Sequence, residues 1–341
     1  MSKIFCRQPF FYIEINCFGD VRMCCEHWCD FYTLGNILEN SFDEILNGDK
    51  YKAFIKQFEE QKFEFCNLDI CPLKVSCTNE EYDRYYRETI SSNKILRINF
   101  DVGCNLRCIF CRNNYIKGDA RRVKRLNDKI REILPLMNKE GWIISIDGSG
   151  EIFTSKNHLE LIRDIVLNYP NINFSIMTNG ILASKEMFQE LGIENRIENI
   201  EVSVHAFTKK TYEKIVIGSN FTQLKKNLEY IGYLKKTGKL KSFYMDFVFN
   251  SENFHEMEKF AKWALSLNAV PSYLPLVKYG QISQQTFKKL NIADESHPRY
   301  NSFVRMLKKP IFSSDKVSIP QGYLDLKEKE EKNIFKRIFK L

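Results

Sequence analysis

The sequence predicts an α/β protein in which parallel strands alternate with helices, preceded by a small cysteine-rich α+β module. Three observations carry this. Between residues 95 and 280, short apolar runs with a period of two alternate with longer runs of helical period. In those strands one face is apolar and the other polar: Ile98, Phe100 and Val102 alternate with Arg97, Asn99 and Asp101, and Val202 and Val204 with Glu201, Ser203 and His205. Eight of the eleven cysteines precede residue 80 and none follows Cys111, so metal chemistry is confined to the first third.

The 341 residues are enough for two domains or for one barrel with an extension. Residues 1–80 read as the first unit. The stretch 11–16 alternates like a strand, Gly19 and Asp20 make a turn, and a second strand leads into Cys24 and Cys25, giving a hairpin that presents thiols. Ser41 and Glu44 form a capping box that opens a helix with Ile45, Leu46, Tyr51 and Phe54 on its apolar side. Cys66, Cys71 and Cys77 follow. Residues 81–94 are polar and read as a linker helix.

The second domain, 95–280, has strands at 95–102, 142–148, 172–179, 198–205, 243–250 and 270–277. Its helices lie near 123–138, 157–168, 184–191, 222–236 and 253–267. Residues 281–341 form a helical extension whose last segment carries Ile334, Phe335, Ile338, Phe339 and Leu341 as one apolar stripe. That stripe suits docking on the barrel or the cysteine-rich module better than a membrane surface.

The formal charge of +8 is spread along the chain beside 43 acidic residues, which argues against a nucleic-acid partner. The exception is 117–131, with seven basic and two acidic residues. It reads first as the solvated face of a helix, and second as a surface that meets an anionic group on a substrate. No apolar run is long enough for a membrane span, and no long apolar region marks a signal peptide, so a cytoplasmic location is expected. Eleven cysteines in such a chain point to metal binding rather than disulfides.

The centre of the chain is the loop that leaves the strand at 95–102. Cys104 and Cys108 are separated by three residues, and Cys108 and Cys111 by two, so one loop can wrap three thiolates around a single cluster. A [4Fe–4S] cluster takes four such ligands, and three leave one iron open for chemistry. A zinc site with this gap and no nearby fourth Cys or His is uncommon. This CxxxCxxC loop, with Phe110 before its last cysteine, resembles the radical S-adenosylmethionine (SAM) family.

The resemblance implies a partial (β/α)6 TIM-like barrel with its site at the C-terminal strand ends. It also implies a catalytic [4Fe–4S] cluster on Cys104, Cys108 and Cys111, with SAM on the open iron. One-electron cleavage of SAM would then give a 5′-deoxyadenosyl radical that abstracts hydrogen from a substrate, the electron coming from a donor such as flavodoxin or ferredoxin. The motif at 147–151 resembles the family's Gly-Gly-Glu sequence, with Ser149 in place of the first glycine, so Gly150 and Glu151 are expected to hold SAM. Asn179, Ser203 and His205, at the ends of the third and fourth strands, are the further cofactor-binding candidates beside Phe110. Tyr244, Asp246 and Asn250 on the fifth strand and Tyr273 on the sixth are expected to line the substrate end of the chamber.

The order of hairpin, cysteine pair, helix and cysteine cluster in residues 1–80 resembles the SPASM or twitch modules of that family, which hold auxiliary [4Fe–4S] clusters but usually follow the barrel. Cys6, Cys24, Cys66, Cys71 and Cys77 are the candidate ligands, with Cys17, Cys25 and Cys29 as bystanders. At least one auxiliary cluster is expected, and a structural zinc is the competing reading. The expected reaction is peptide modification, or oxidation or epimerisation of a sugar or small molecule. A tRNA-modifying enzyme and a non-catalytic zinc or iron–sulfur scaffold are the alternatives.

Overall fold

A computed structural model gives the fold and describes residues 3–24, 29, 32–68, 71, 73–146, 150–278 and 282–326. Thirteen strands occur among them: β1 (Lys3–Phe5), β2 (Tyr12–Ile15), β3 (Asp20–Arg22), β4 (Gly35–Asn36), β5 (Val75–Cys77), β6 (Ile95–Ile98), β7 (Arg107–Cys108), β8 (Ile143–Ile146), β9 (Asn173–Thr178), β10 (Ile197–Ser203), β11 (Val216–Ile217), β12 (Ser242–Phe249) and β13 (Val270–Pro275). The chain divides into two compact units. The first comprises Met1–Gly103, Lys117–Ile176 and Leu191–Glu198, and the second Cys104–Ile116, Met177–Glu190 and Asn199–Leu341. The apolar stripe at 334–341 lies outside the described residues, as do Cys25 and Asp147–Ser149 of the motif at 147–151.

In the first unit, β6, β8 and β9 are successive parallel neighbours, with Leu96 opposite Ile144 and Ile144 opposite Phe174. The helix Ala120–Glu140 buries Val123, Leu126, Ile130, Leu134 and Met137, all spaced by three or four residues. Asp119 caps it by accepting from the Arg121 and Arg122 N–H groups, and Gly141 ends it at φ +66. Each such fully buried aliphatic side chain stabilises the unit by about 1.5–3 kcal/mol.

The hairpin of β2 and β3 forms as expected, and Asn16 fixes its turn by accepting from the Phe18 and Asp20 N–H groups. The capping box of Ser41 and Glu44 is present. A pairing not expected from the sequence is that of β2 with β6, parallel, with Tyr12 opposite Ile95 and Ile15 opposite Ile98. Buried Glu14 meets Arg97 across it at 3.1 Å. The cysteine-rich segment thus supplies a strand to the same sheet as β6. The stretch read as a linker begins within the helix Asn79–Ile90, which opens on its own capping box, Thr78 with Glu81.

In the second unit β10, β12 and β13 are parallel. Their register sets Ser203 opposite Asp246 and Asp246 opposite Ser272, a polar row across three strands. The neighbouring row is apolar: Phe247 stands opposite Tyr273, and both rings pack on Phe260. Tyr273 therefore faces the helix-side core, where its hydroxyl donates to the Met257 carbonyl at 2.6 Å. The sequence reading that put it at the substrate end is off by one residue, and a one-residue slip reverses the face. Asn250, also assigned to that end, instead builds the turn after β12, donating to Val248 O and accepting from Glu252 N. Among the described residues no helix is long and apolar enough to cross a membrane.

Candidate metal centre

The second unit holds the cysteine loop. β7, which contains Cys108, pairs antiparallel with β11, setting Cys108 opposite Val216, and Ile109 N–H donates to Ile215 O. The Cys111 and Arg112 N–H groups both turn back onto Cys108 O, and Cys104 N–H reaches Ile116 O. Two crossings and one tight turn thus bring the three thiols onto one short loop. Burial pushes the Cys108 thiol up to about 12, with the sulfurs of Cys111 and Cys104 close enough to add to the shift. The residue as a whole is half-buried, but its sulfur end is enclosed.

Donors point at these sulfurs. Leu106 N–H lies 3.4 Å from Cys104 Sγ, Arg112 Nε 3.5 Å from Cys111 Sγ, and Asn179 Nδ2 3.9 Å from Cys104 Sγ. Asn179 also donates to Asn105 Oδ1 at 2.9 Å. The backbone just after it is held by Asn227, which donates to the carbonyls of Gly180 and Ile181. Gly180 has φ +80, and a Cβ there would stand 2.6 Å from Leu224 Cδ1. Sequence reasoning missed Asn105, Arg112 and Asn227. Asn105 and Arg112 lie within or directly beside the cysteine motif, so their position in the loop was an available signal. Asn227 carries no local signal.

His205 also lies in this unit. Its φ is +64, and Val248 N–H donates to its Nδ1 at 3.1 Å, so the proton sits on Nε2. Burial pulls it down to about 3, leaving a neutral imidazole. The ring stands edge-to-face with Phe110, centroids 5.1 Å apart. Ser203 is the cross-strand neighbour of Asp246. In the first unit, Glu151 N–H donates to Gly103 O at 2.7 Å, and Glu151 Oε1 accepts from Phe153 N–H.

Burial, with Glu201 adding and a Ser272 hydrogen bond opposing, pushes the Asp246 carboxyl up to about 7. The folded state then holds a proton that the unfolded chain has released, so this group costs stability as pH rises from about 4 through 7. Asp246→Asn is expected to raise stability by about 2–4 kcal/mol at pH 8 and by nothing at pH 4. Thermal unfolding at the two pH values measures this, and an equal effect at both would refute it.

The residues fit an iron–sulfur cofactor. The donor set is three sulfurs, which iron–sulfur chemistry favours, and N–H groups converge on them. Among the described residues no group of three His, Cys, Asp or Glu side chains is drawn together tightly enough for a single metal ion.

Residues 98–264 match the radical SAM superfamily, and residues 6–72 match SPASM, an iron-sulfur cluster-binding domain. Together these segments cover more than half of the chain, and the chain belongs to the radical SAM superfamily. More particularly, its SPASM domain precedes its radical SAM domain. Its cofactors are a [4Fe–4S] cluster and SAM, with auxiliary iron–sulfur binding in the SPASM domain.

The chain is 27% identical over 151 residues to the FeMo cofactor biosynthesis protein NifB of Methanocaldococcus infernus, covering 41% of this chain and 46% of that protein. It is 28% identical over 246 residues to the probable dual-specificity RNA methyltransferase RlmN of Chlorobium phaeobacteroides, covering 67% of this chain and 59% of that protein. It thus spans about half the length of these relatives. Among solved structures, Streptococcus suis SuiB bound to precursor peptide SuiA matches with a TM-score of 0.42 and 17% identity, over 89% of this chain and 69% of that one.

Proposed function

We propose that Cys104, Cys108 and Cys111 hold the catalytic cluster of an enzyme that abstracts hydrogen from a peptide or a small polar molecule, with its electron supplied by a flavodoxin or ferredoxin. The observation that carries this is the gathering of three thiols on one loop, with N–H donors directed at them. When bound, the cluster and SAM supply the 5′-deoxyadenosyl radical. The chain's own residues bind, orient and exclude water. Gly150, Glu151, Asn179, Ser203 and His205 are the proposed SAM contacts, on the family motifs. His205 offers one fixed donor, Nε2–H, whatever the working pH. The SPASM match supports a peptide or small-molecule substrate, since SPASM-type relatives act on such compounds.

The basic stretch 117–131 gives little support to an anionic substrate. Lys124 pairs with Asp128, Arg131 with Asp128 and Asp164, and Lys129 with Glu132, as on an ordinary solvated helix face. The likeness to RlmN favours a second reading, RNA modification. Retention on tRNA that falls steeply between 50 and 200 mM salt, as phosphate contacts would require, selects that reading. The shared core of both is tested by adding SAM to the anaerobically reduced, iron-loaded protein. A changed paramagnetic resonance signal is expected, and an unaltered signal would refute SAM binding at the cluster.

Asn179 is proposed to tune the loop cluster. A donor to a cluster sulfur stabilises the more negative, reduced form. One such bond contributes about 0.5–1.5 kcal/mol, which for one electron is about 20–60 mV. Asn179→Ala is expected to lower the cluster potential by that amount in a redox titration followed by paramagnetic resonance. An unshifted potential would remove Asn179 from the role.

A further inference from the structure

The first unit carries a second gathering of thiols whose membership differs from the sequence reading. Cys29 and Cys66 lie opposite each other in an isolated antiparallel bridge. Directly opposed residues of an antiparallel pair stand about 4.5–5.5 Å apart at Cα, with their side chains on one face. Cys29 is buried, while Cys66 and Cys71 are half-buried. Cys66 and Cys71 sit at the two ends of one short loop, where Cys66 N–H donates to Phe63 O and Cys71 N–H to Asn67 O. That loop is anchored by Gln57, whose Oε1 accepts from Phe65 N–H, and it enters through Phe63 at φ +52. Cys6, just after β1, feels the sulfurs of both Cys71 and Cys29 and accepts from Gln8 N–H.

Cys77 is placed differently. It lies on β5 opposite Lys3, its Sγ donates to Lys3 O at 3.6 Å, and the nearest charged groups are Glu81 and Lys3 rather than other cysteines.

We propose that Cys29 is a ligand of the auxiliary cluster beside Cys6, Cys66 and Cys71, and that Cys77 is a structural thiol of the β1–β5 pair. This rests on the reading that the SPASM module holds a [4Fe–4S] cluster. The four residues come from a position after β1, a bridge and one loop, so the cluster would fasten three stretches of the module that are far apart in sequence. This departs from the expected set, which counted Cys29 as a bystander and Cys77 as a ligand.

The test uses the full chain with Cys104, Cys108 and Cys111 all replaced by alanine, so that only auxiliary iron remains. Reconstituted anaerobically with ferrous iron and sulfide, this protein is expected to hold about four irons. Adding Cys29→Ser is expected to lower iron below about one per chain and to erase the reduced-state paramagnetic signal. Adding Cys77→Ser should leave both unchanged. Cys29→Asp, which keeps an anionic ligand, should retain iron but shift the signal, separating ligation from a folding defect. Full iron with an unaltered signal in both Cys29 variants would overturn the assignment, as would loss of the cluster on Cys77→Ser. A parent protein that takes up only zinc, or no iron, would instead overturn the auxiliary-cluster reading on which the assignment stands.

Discussion

Replacing Cys108 by alanine is expected to remove about four irons per chain and to lower 5′-deoxyadenosine formation by more than 100-fold. The four irons follow from the loss of one of only three protein ligands to a [4Fe–4S] cluster. The activity estimate is a lower bound, because removing a mere outer-shell partner of a metal ligand already costs about 10–100-fold. The fold should survive, since the backbone pairing of β7 with β11 that holds Cys108 does not depend on its side chain. Iron analysis with chromatography of the reaction mixture reads both effects. Retained iron and retained turnover would remove Cys108 from the site.

Gly150→Ala is expected to have the next largest effect, through packing alone. A methyl at residue 150 would stand 2.3 Å from Asp101 O and 2.4 Å from Gly103 O. Both are backbone atoms of the segment running into Cys104, so the segment must move. Overpacking of this kind costs about 1–3 kcal/mol, and for a chain this long that lowers Tm by about 1–4 °C. Most of the loop-cluster iron should be lost with it. Gly322→Ala, where nothing lies within 4 Å of the added methyl, is the control and should change neither quantity. A Gly150→Ala protein with normal iron and Tm would show that the close approach tolerates a side chain.

Much of the fold was legible because period-two and helical runs are local signals. The strand expected at 172–179 is β9, Asn173–Thr178, and the helix expected near 222–236 is Phe221–Lys236. The cysteine loop was legible because its ligands are close in sequence. What escaped depends on pairing between distant residues. Nothing local in 12–15 says that β2 lies parallel to β6, or that β7 is closed by Val216 and Ile217. The same holds for Cys29 and Cys66, separated by a long stretch of chain and joined only by a bridge. Tyr273 was assigned to the wrong face because a strand boundary fixes register no better than one residue, whereas the observed pairing with Phe247 fixes it fully.

The proposed chemistry is reductive cleavage of SAM at the loop cluster. Iron-loaded protein, kept free of oxygen and given SAM and dithionite, is predicted to release 5′-deoxyadenosine and methionine in equal amounts, and the same protein stripped of iron is predicted to release none. Iron-replete protein that leaves SAM intact under these conditions would contradict the account.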